Sequence, residues 1–365
     1  MKKALSTVAV SSLALSLMTL VPVCFGILWL VKLVLIEWGH LAALVVGGVA
    51  VGIPTRWATP VARGLLLVSA VILIHPLVWG FWKFPGAPWK ELLWLSGPAF
   101  ETLEFVVHTE NSTLPIVLYR AKAAAPSPLI ISIHGGSWQS GDYRDMAQAD
   151  QSLVGLGYSV ASVSYRLAPT ALFPEAKSDV EASLEYLIGH ASALGLDAKR
   201  IVLLGRSAGG QLAATVSSAR PRNILRTILL YSPSDLVWGY RNSRPWHIVN
   251  GKKVIPSYLG ADLSDSTLAV YQAASPINGI RSGMPPVLLV HGANEDLVSP
   301  YHSRAYYQAL QENQVPSELV EIPWATHAFD YFPRGPSSIV TRYAIRRFLE
   351  GDRVKTTPIA NRNRN

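Results

Sequence analysis

Hydrophobic positions along this chain follow two rhythms, and the change between them falls near residue 82. Up to Trp82 the sequence is nearly all Leu, Val, Ala, Ile and Gly, with only scattered charges. Leu5 to Val31 carries no charge and is long enough to cross a hydrocarbon layer of about 30 Å, which takes about 20 helical residues. His40 to Pro54 is shorter and Gly-rich, and spans only with help from its flanks, whereas Gly64 to Phe81 has about the right length. From Phe105 onwards short apolar runs alternate with amphipathic stretches. Leu129–Ile133, Ile201–Leu204, Pro286–Val290 and Val320–Ile322 read as strands, and Asp179–Leu187 and Tyr301–Gln314 as helices. Such alternation predicts an α/β fold on an open, mostly parallel sheet. Asp235 to Gly260, with Trp238, Tyr240, Trp246 and His247, interrupts it as a cap-like insertion, whose aromatics either line a pocket or form the cap's own core.

Charge adds an orientation. Lys2 and Lys3 precede the first apolar run, and Arg56 and Arg63 lie between the second and third. With three spans all four face the cytoplasm, and everything after Phe81 lies on the opposite side; Lys32 then falls in the outer loop. If the middle run does not span, the rest of the chain returns to the cytoplasmic face. A cleavable signal peptide would also begin Met-Lys-Lys and turn apolar. The apolar region is too long for one, however, and no small-x-small site precedes a polar start. Cys24 does not suggest lipid attachment, because Pro22 and Val23 before it are bulky.

Between Trp79 and Trp94, four tryptophans with Phe81 and Phe84 suit either an interfacial collar, a lid, or ordinary packing. The expected organisation is a membrane anchor over 1–82, an interfacial linker or lid over 83–104, a catalytic domain over 105–350 and a disordered tail over 351–365. Half of the 365 residues are apolar and only 15% are charged, as a membrane anchor beside an α/β core would give. A net charge of +8 is scattered and does not point to nucleic acid. One cysteine excludes an internal disulfide. His302, on the helix after Pro300, reads as a surface residue.

Chemistry concentrates in four places. Gly205-Arg206-Ser207-Ala208-Gly209 follows the strand Ile201–Leu204 and opens a helix, the strand–turn–helix setting of a nucleophile elbow. Its glycines allow a turn too sharp for side chains, and Ser207 stands at a helix N-terminus that favours developing negative charge. Leu129–Ile133 runs into His134-Gly135-Gly136-Ser137-Trp138, where backbone N–H groups suit an oxyanion hole together with that of Ala208. Pro286–Val290 leads to His291-Gly-Ala-Asn-Glu295-Asp296-Leu-Val, and Val320–Ile322 to a loop carrying His327. A serine hydroxyl needs an imidazole to take its proton and a carboxylate to orient that imidazole, so Ser207, a carboxylate and His327 form a candidate triad.

These elements, with Ser140-Gly-Asp142, Tyr165-Arg-Leu-Ala-Pro169, Phe173-Pro174 and Thr326-His-Ala-Phe329, resemble the α/β-hydrolase superfamily. More narrowly they resemble hormone-sensitive-lipase-like and feruloyl-esterase-like carboxylesterases, over roughly residues 105–350. The resemblance implies an eight-stranded, mostly parallel sheet with helices on both faces, and ester hydrolysis through an acyl-enzyme. It implies no metal and no dissociable cofactor. The oxyanion loop departs from relatives by carrying Ser137 where many have a third glycine. The acid also departs: the family's His-Gly-x-x-Asp spacing lands on Glu295, with Asp296 one place later as the alternative. Expected partners are a small-molecule or lipid-like ester and membrane lipid. Deacetylase, amidase or acyltransferase chemistry would use the same residues, and an inactive membrane scaffold is the reading from another class.

Overall fold

The computed structural model describes residues 2–21, 26–54, 56–93, 97–122, 126–243 and 248–351. Cys24, Trp94, Trp246, His247 and the tail from residue 352 lie outside them. In chain order, helices α1 (Lys2–Leu17), α2 (Gly26–Gly52) and α3 (Pro60–Lys83) come first. Strands β1 (Phe100–His108), β2 (Thr113–Ala121) and β3 (Ser127–Ile133) follow, then α4 (Ala147–Val154), β4 (Ser159–Val163), α5 (Glu175–Gly189) and α6 (Ala191–Leu194). Next come β5 (Leu196–Arg206), α7 (Ala208–Ala219), β6 (Arg226–Leu230) and α8 (Leu236–Asn242), with α9 (Gly251–Leu259) and α10 (Leu268–Ala274). The chain closes with β7 (Val287–Gly292), α11 (Tyr301–Glu312), β8 (Ser317–Ile322) and α12 (Pro336–Glu350).

Two compact units divide these elements: Met1–Leu95 with Ile322–Asn365, and Ser96–Glu321. In the second unit the sheet runs β1-β2-β4-β3-β5-β6-β7-β8. β1, β2 and β4 pair antiparallel in turn, while β4-β3-β5-β6-β7 pair in parallel. The parallel strands explain their own sequences. Every residue of β3, β4 and β7 is buried, and strands covered on both sides read as unbroken apolar runs. Edge strand β1 instead alternates exposed and half-buried positions. This is the α/β-hydrolase fold.

In the first unit, three helices are long and apolar enough to cross a membrane: Lys2–Leu20, Ile27–Gly52 and Pro60–Lys83. Their boundaries correct the sequence reading. Leu5–Val31 is not one span, because α1 ends at Leu17 and α2 begins at Gly26, with Pro22 between them in the sequence. Nor is His40–Pro54 a short segment; it is the second half of the 27-residue α2. Lys32 and Glu37 split that helix in a hydropathy reading, yet both are fully buried. Lys32 therefore sits inside α2 and not in a loop.

α12 packs within the same unit. Arg342 donates to Glu91 at 2.6 Å, and Gly86 lies against the Tyr343 ring, where a Cβ would come within 2.5 Å of the hydroxyl. The aromatic stretch divides into two kinds. Phe84 and Trp89 are buried, with Trp89 Nε1 donating to the Phe84 carbonyl and its ring filling the space over Gly80. Phe81 and Trp82 stay exposed.

Candidate active site

Ser207 sits at the junction of β5 and α7 with φ 52° and ψ −122°. A non-glycine residue there costs of order 1–3 kcal/mol and persists only where its surroundings over-determine it. Those surroundings are tight. A Cβ on Gly205 would lie 2.2 Å from the Gly209 carbonyl oxygen, and one on Gly209 2.3 Å from the carbonyl oxygens of Ile133 and His134. Both glycines are thus demanded by backbone crowding. The Ser207 N–H donates to Leu230 O of the neighbouring strand, and the Ser207 carbonyl accepts from Gly210 N–H, which starts α7. Ala208 is the first residue of α7, so its N–H has no partner within the helix.

The loop after β3 meets this turn. A Cβ on Gly135 would lie 3.1 Å from Ser207 Cβ, so only glycine lets the loop come so near Ser207. Tyr165 Oη donates to the carbonyls of His134 (3.1 Å) and Gly135 (3.3 Å), and the His134 ring stacks on Tyr165 at 4.3 Å. His134 Nδ1 also donates to Gly135 O at 2.7 Å, and burial holds this imidazole below its ordinary pKa although that bond opposes the shift. In a trans peptide, N–H points opposite to the preceding C=O. Pinning the two carbonyls on Tyr165 therefore turns the N–H groups of Gly135 and Gly136 the other way. Gly136, Ser137 and Trp138 then follow one another at positive φ (109°, 56° and 61°), so Ser137 takes the place of a third glycine by accepting a left-handed backbone.

Two buried polar groups behind this wall escaped the sequence reading. Gln211 on α7 accepts from Trp138 Nε1 at 2.9 Å and donates to Ala274 O at 2.7 Å, tying the loop after β3 to α10. Arg206, beside Ser207, donates to Asp150 Oδ1 and Ser132 Oγ at 2.8 Å, with the pair almost fully buried. Neither has a local sequence signal, because each partner lies more than 50 residues away.

Glu295 stands in the loop after β7 with its side chain buried. Its Oε1 accepts from the N–H groups of Leu297 (2.7 Å) and Val298 (3.3 Å), which fixes the carboxylate; Asp296 beside it is half-buried. His291 braces the same loop: Nε2 donates to Val298 O at 2.9 Å and Nδ1 accepts from Ser303 Oγ at 2.7 Å. His302 is not a surface residue. Its ring is buried against Trp238, with Nδ1 accepting from Ser234 N–H, and burial with His291 nearby pushes its pKa down to about 3. Its partners arrive from the insertion after β6, which the helix pattern alone does not reveal. His327 occupies the loop between β8 and α12, in the first unit, and is buried.

The profile of the family described as BD-FAE matches residues 116–310, more than half of the chain. The chain belongs to the BD-FAE family. The match covers Ser207, the loop His134–Trp138 and Glu295, and ends before His327. Among relatives, an ethyl acetate hydrolase of Pseudomonas putida is 34% identical over 60% of this chain and 72% of its own. The esterase LipQ of Mycobacterium tuberculosis is 26% identical over 58% of this chain. The chain spans about half the length of the curated relatives LipM (54%) and LipQ (53%). Among solved structures, an arylesterase superposes with TM-score 0.60 at 24% identity, covering 70% of this chain and 86% of its own. An esterase of Pyrobaculum calidifontis gives 0.62 at 22%, covering 72% and 87%. These structural likenesses carry the fold. They leave α1 to α3 to be explained from this chain alone.

Proposed function

We propose that this BD-FAE protein is a membrane-anchored serine carboxylesterase. The observation that carries the reading is Ser207, held at positive φ between two crowded glycines with Gly135 against its Cβ. The relatives named as esterases support it. Ser207 Oγ attacks the ester carbonyl carbon while His327 accepts the hydroxyl proton. Glu295 orients that imidazole. The oxyanion formed is met by the N–H groups of Gly135, Gly136 and Ala208, each such donor being worth about 2.7–4 kcal/mol to the transition state. Collapse passes the proton from His327 to the leaving alcohol and leaves an acyl-Ser207. Water, deprotonated by the same histidine, then releases the carboxylic acid. The substrate is a small-molecule or lipid-like ester, and helices α1 to α3 keep the enzyme at a lipid surface.

A fluorescent fluorophosphonate tests this on detergent-solubilised protein. Wild type labels; Ser207→Ala and His327→Ala do not, while both variants keep the wild-type melting temperature. Absence of labelling in folded wild type sinks the esterase reading and favours an inactive scaffold.

A further inference from the structure

We propose that Glu37, on apolar helix α2, is a positioning residue for the catalytic base: its carboxylate caps α12 and so fixes the loop that carries His327. The proposal rests on the esterase reading above.

α12 begins without a cap of its own. Gly335 at the N-cap has no side chain to offer, and Pro336 at the first helical position has no N–H. Ser337 therefore presents the first free amide. Glu37 Oε2 accepts from that N–H at 3.1 Å, so a carboxyl group 300 residues away supplies the missing cap at the positive end of the helix. Gly335 makes room for it. Its φ of −70° and ψ of 151° suit any residue, yet a Cβ there would lie 2.1 Å from Glu37 Oε2.

From the capped turn, contacts run in both directions to the histidine loop. Ser338 Oγ donates to the Phe329 carbonyl at 3.2 Å, two residues after His327. Trp324, three residues before it, donates from Nε1 to Ser337 Oγ at 3.0 Å. Arg342 Nη1 donates to Pro333 O at 2.6 Å, and Phe332 meets Trp38, the neighbour of Glu37, edge to face. The loop between β8 and α12 is thus hung on the start of α12, and that start is hung on α2.

Stability alone does not explain a carboxylate here. Glu37 is fully buried, and its Oε1 makes no hydrogen bond among the described residues. A buried carboxyl with one oxygen left without a hydrogen bond among the described residues is costly, and replacing such a group by an apolar side chain of similar volume is often neutral or stabilising. A methionine would fill the space. It would not hold Ser337.

The test uses the full chain in detergent, with hydrolysis of p-nitrophenyl butyrate, fluorophosphonate labelling and hydrogen exchange over residues 324–338. Glu37→Met is expected to keep or raise the melting temperature, to speed exchange in that segment, and to lower kcat by roughly ten- to a hundredfold with KM little changed. Glu37→Gln, which retains an acceptor for Ser337, restores most of kcat. Gly335→Ala, which pushes the carboxylate off, reproduces the loss but adds nothing to Glu37→Met. Wild-type kcat in Glu37→Met, or unchanged exchange over the segment, overturns the proposal. If wild type neither labels nor hydrolyses the ester, the esterase reading falls first and the catalytic role of Glu37 falls with it, even where exchange shows the loop released.

Discussion

Adjacent carboxylates at 295 and 296 present the sharpest choice at the scale of single residues. Glu295 has its chain buried and one oxygen held by the amides of Leu297 and Val298, so the position of its other oxygen is set before substrate arrives. A pre-set carboxylate is what an imidazole needs if it is to keep one tautomer. Asp296, the next residue, is only half-buried, whereas the Glu295 side chain is fully buried. Glu295→Gln should therefore lower kcat by roughly 10⁴-fold, the loss seen when an orienting carboxylate becomes an amide. Asp296→Asn should leave kcat within the same order of magnitude. Steady-state ester hydrolysis of the two variants decides between them, and the opposite ranking would transfer the acid role to Asp296. The count from His291 pointed to the same residue, but it said nothing of His291 itself. Both ring nitrogens of that histidine are spent on Val298 and Ser303, so its work is to brace the loop. His302 was misread for a related reason. It heads the buried stripe His302–Ser303–Tyr306–Leu310 of α11, and a polar residue on such a stripe looks exposed until the group that covers it is known.

At the scale of elements, what is local was legible and what is distant was not. The elbow, the glycine loop after β3 and the four apolar strand runs announce themselves because each constraint acts within a few residues: a crowded turn, a buried strand, a left-handed backbone. The brace behind the oxyanion loop does not, because Gln211, Trp138, Tyr258 and Ala274 come from four separate stretches of chain. Trp138 stacks flat on Tyr258 at 4.5 Å while its indole N–H rests on Gln211. Gln211→Ala would leave that donor and the Ala274 carbonyl buried without partners, which costs about 1–3 kcal/mol for each such group. The expected outcome in chemical denaturation is a loss of a few kcal/mol, accompanied by lower kcat because the loop bearing Gly135 and Gly136 is no longer held. Wild-type stability would show that water or Tyr258 takes the place of the amide. Helix α2 makes the same point in reverse. Its two charges hid a continuous helix from a hydropathy reading, since neither sequence position discloses that Lys32 and Glu37 are buried, nor that Ser337 lies opposite the carboxylate.

For the whole molecule, the proposed anchoring asks which side of a membrane the proposed triad would face, and the first unit bears on it. α2 and α3 carry large exposed apolar side chains along their lengths, among them Leu44 and Val45 at 68% and Val51 at 76% exposed, and a lipid layer would cover them. At 1.5 Å per residue the 27 residues of α2 reach about 40 Å, some 10 Å more than a hydrocarbon core of about 30 Å. If the cytoplasmic end is the one nearest Arg56 and Arg63, the surplus falls at the Gly26 end, on the outer side. Lys32 is then close to the outer boundary, and Glu37 about 7 Å below it, a depth at which a docked α12 still reaches a side chain on α2. α3 returns to that same side at Lys83, ahead of β1. The proposed arrangement of three spans, with the α/β unit on the extracytoplasmic face, is consistent with the basic residues, the helix lengths and the Glu37–Ser337 bond. In a bacterial host, fusion of alkaline phosphatase after residue 351 should give an active enzyme, while fusion of green fluorescent protein through the general secretory route should stay dark. Bright fluorescence with inactive phosphatase would reverse the orientation. With Lys2 and Lys3 still cytoplasmic it would require an even number of spans, and α1, the shortest of the three apolar helices at 16 residues, would then be the one lying along the surface.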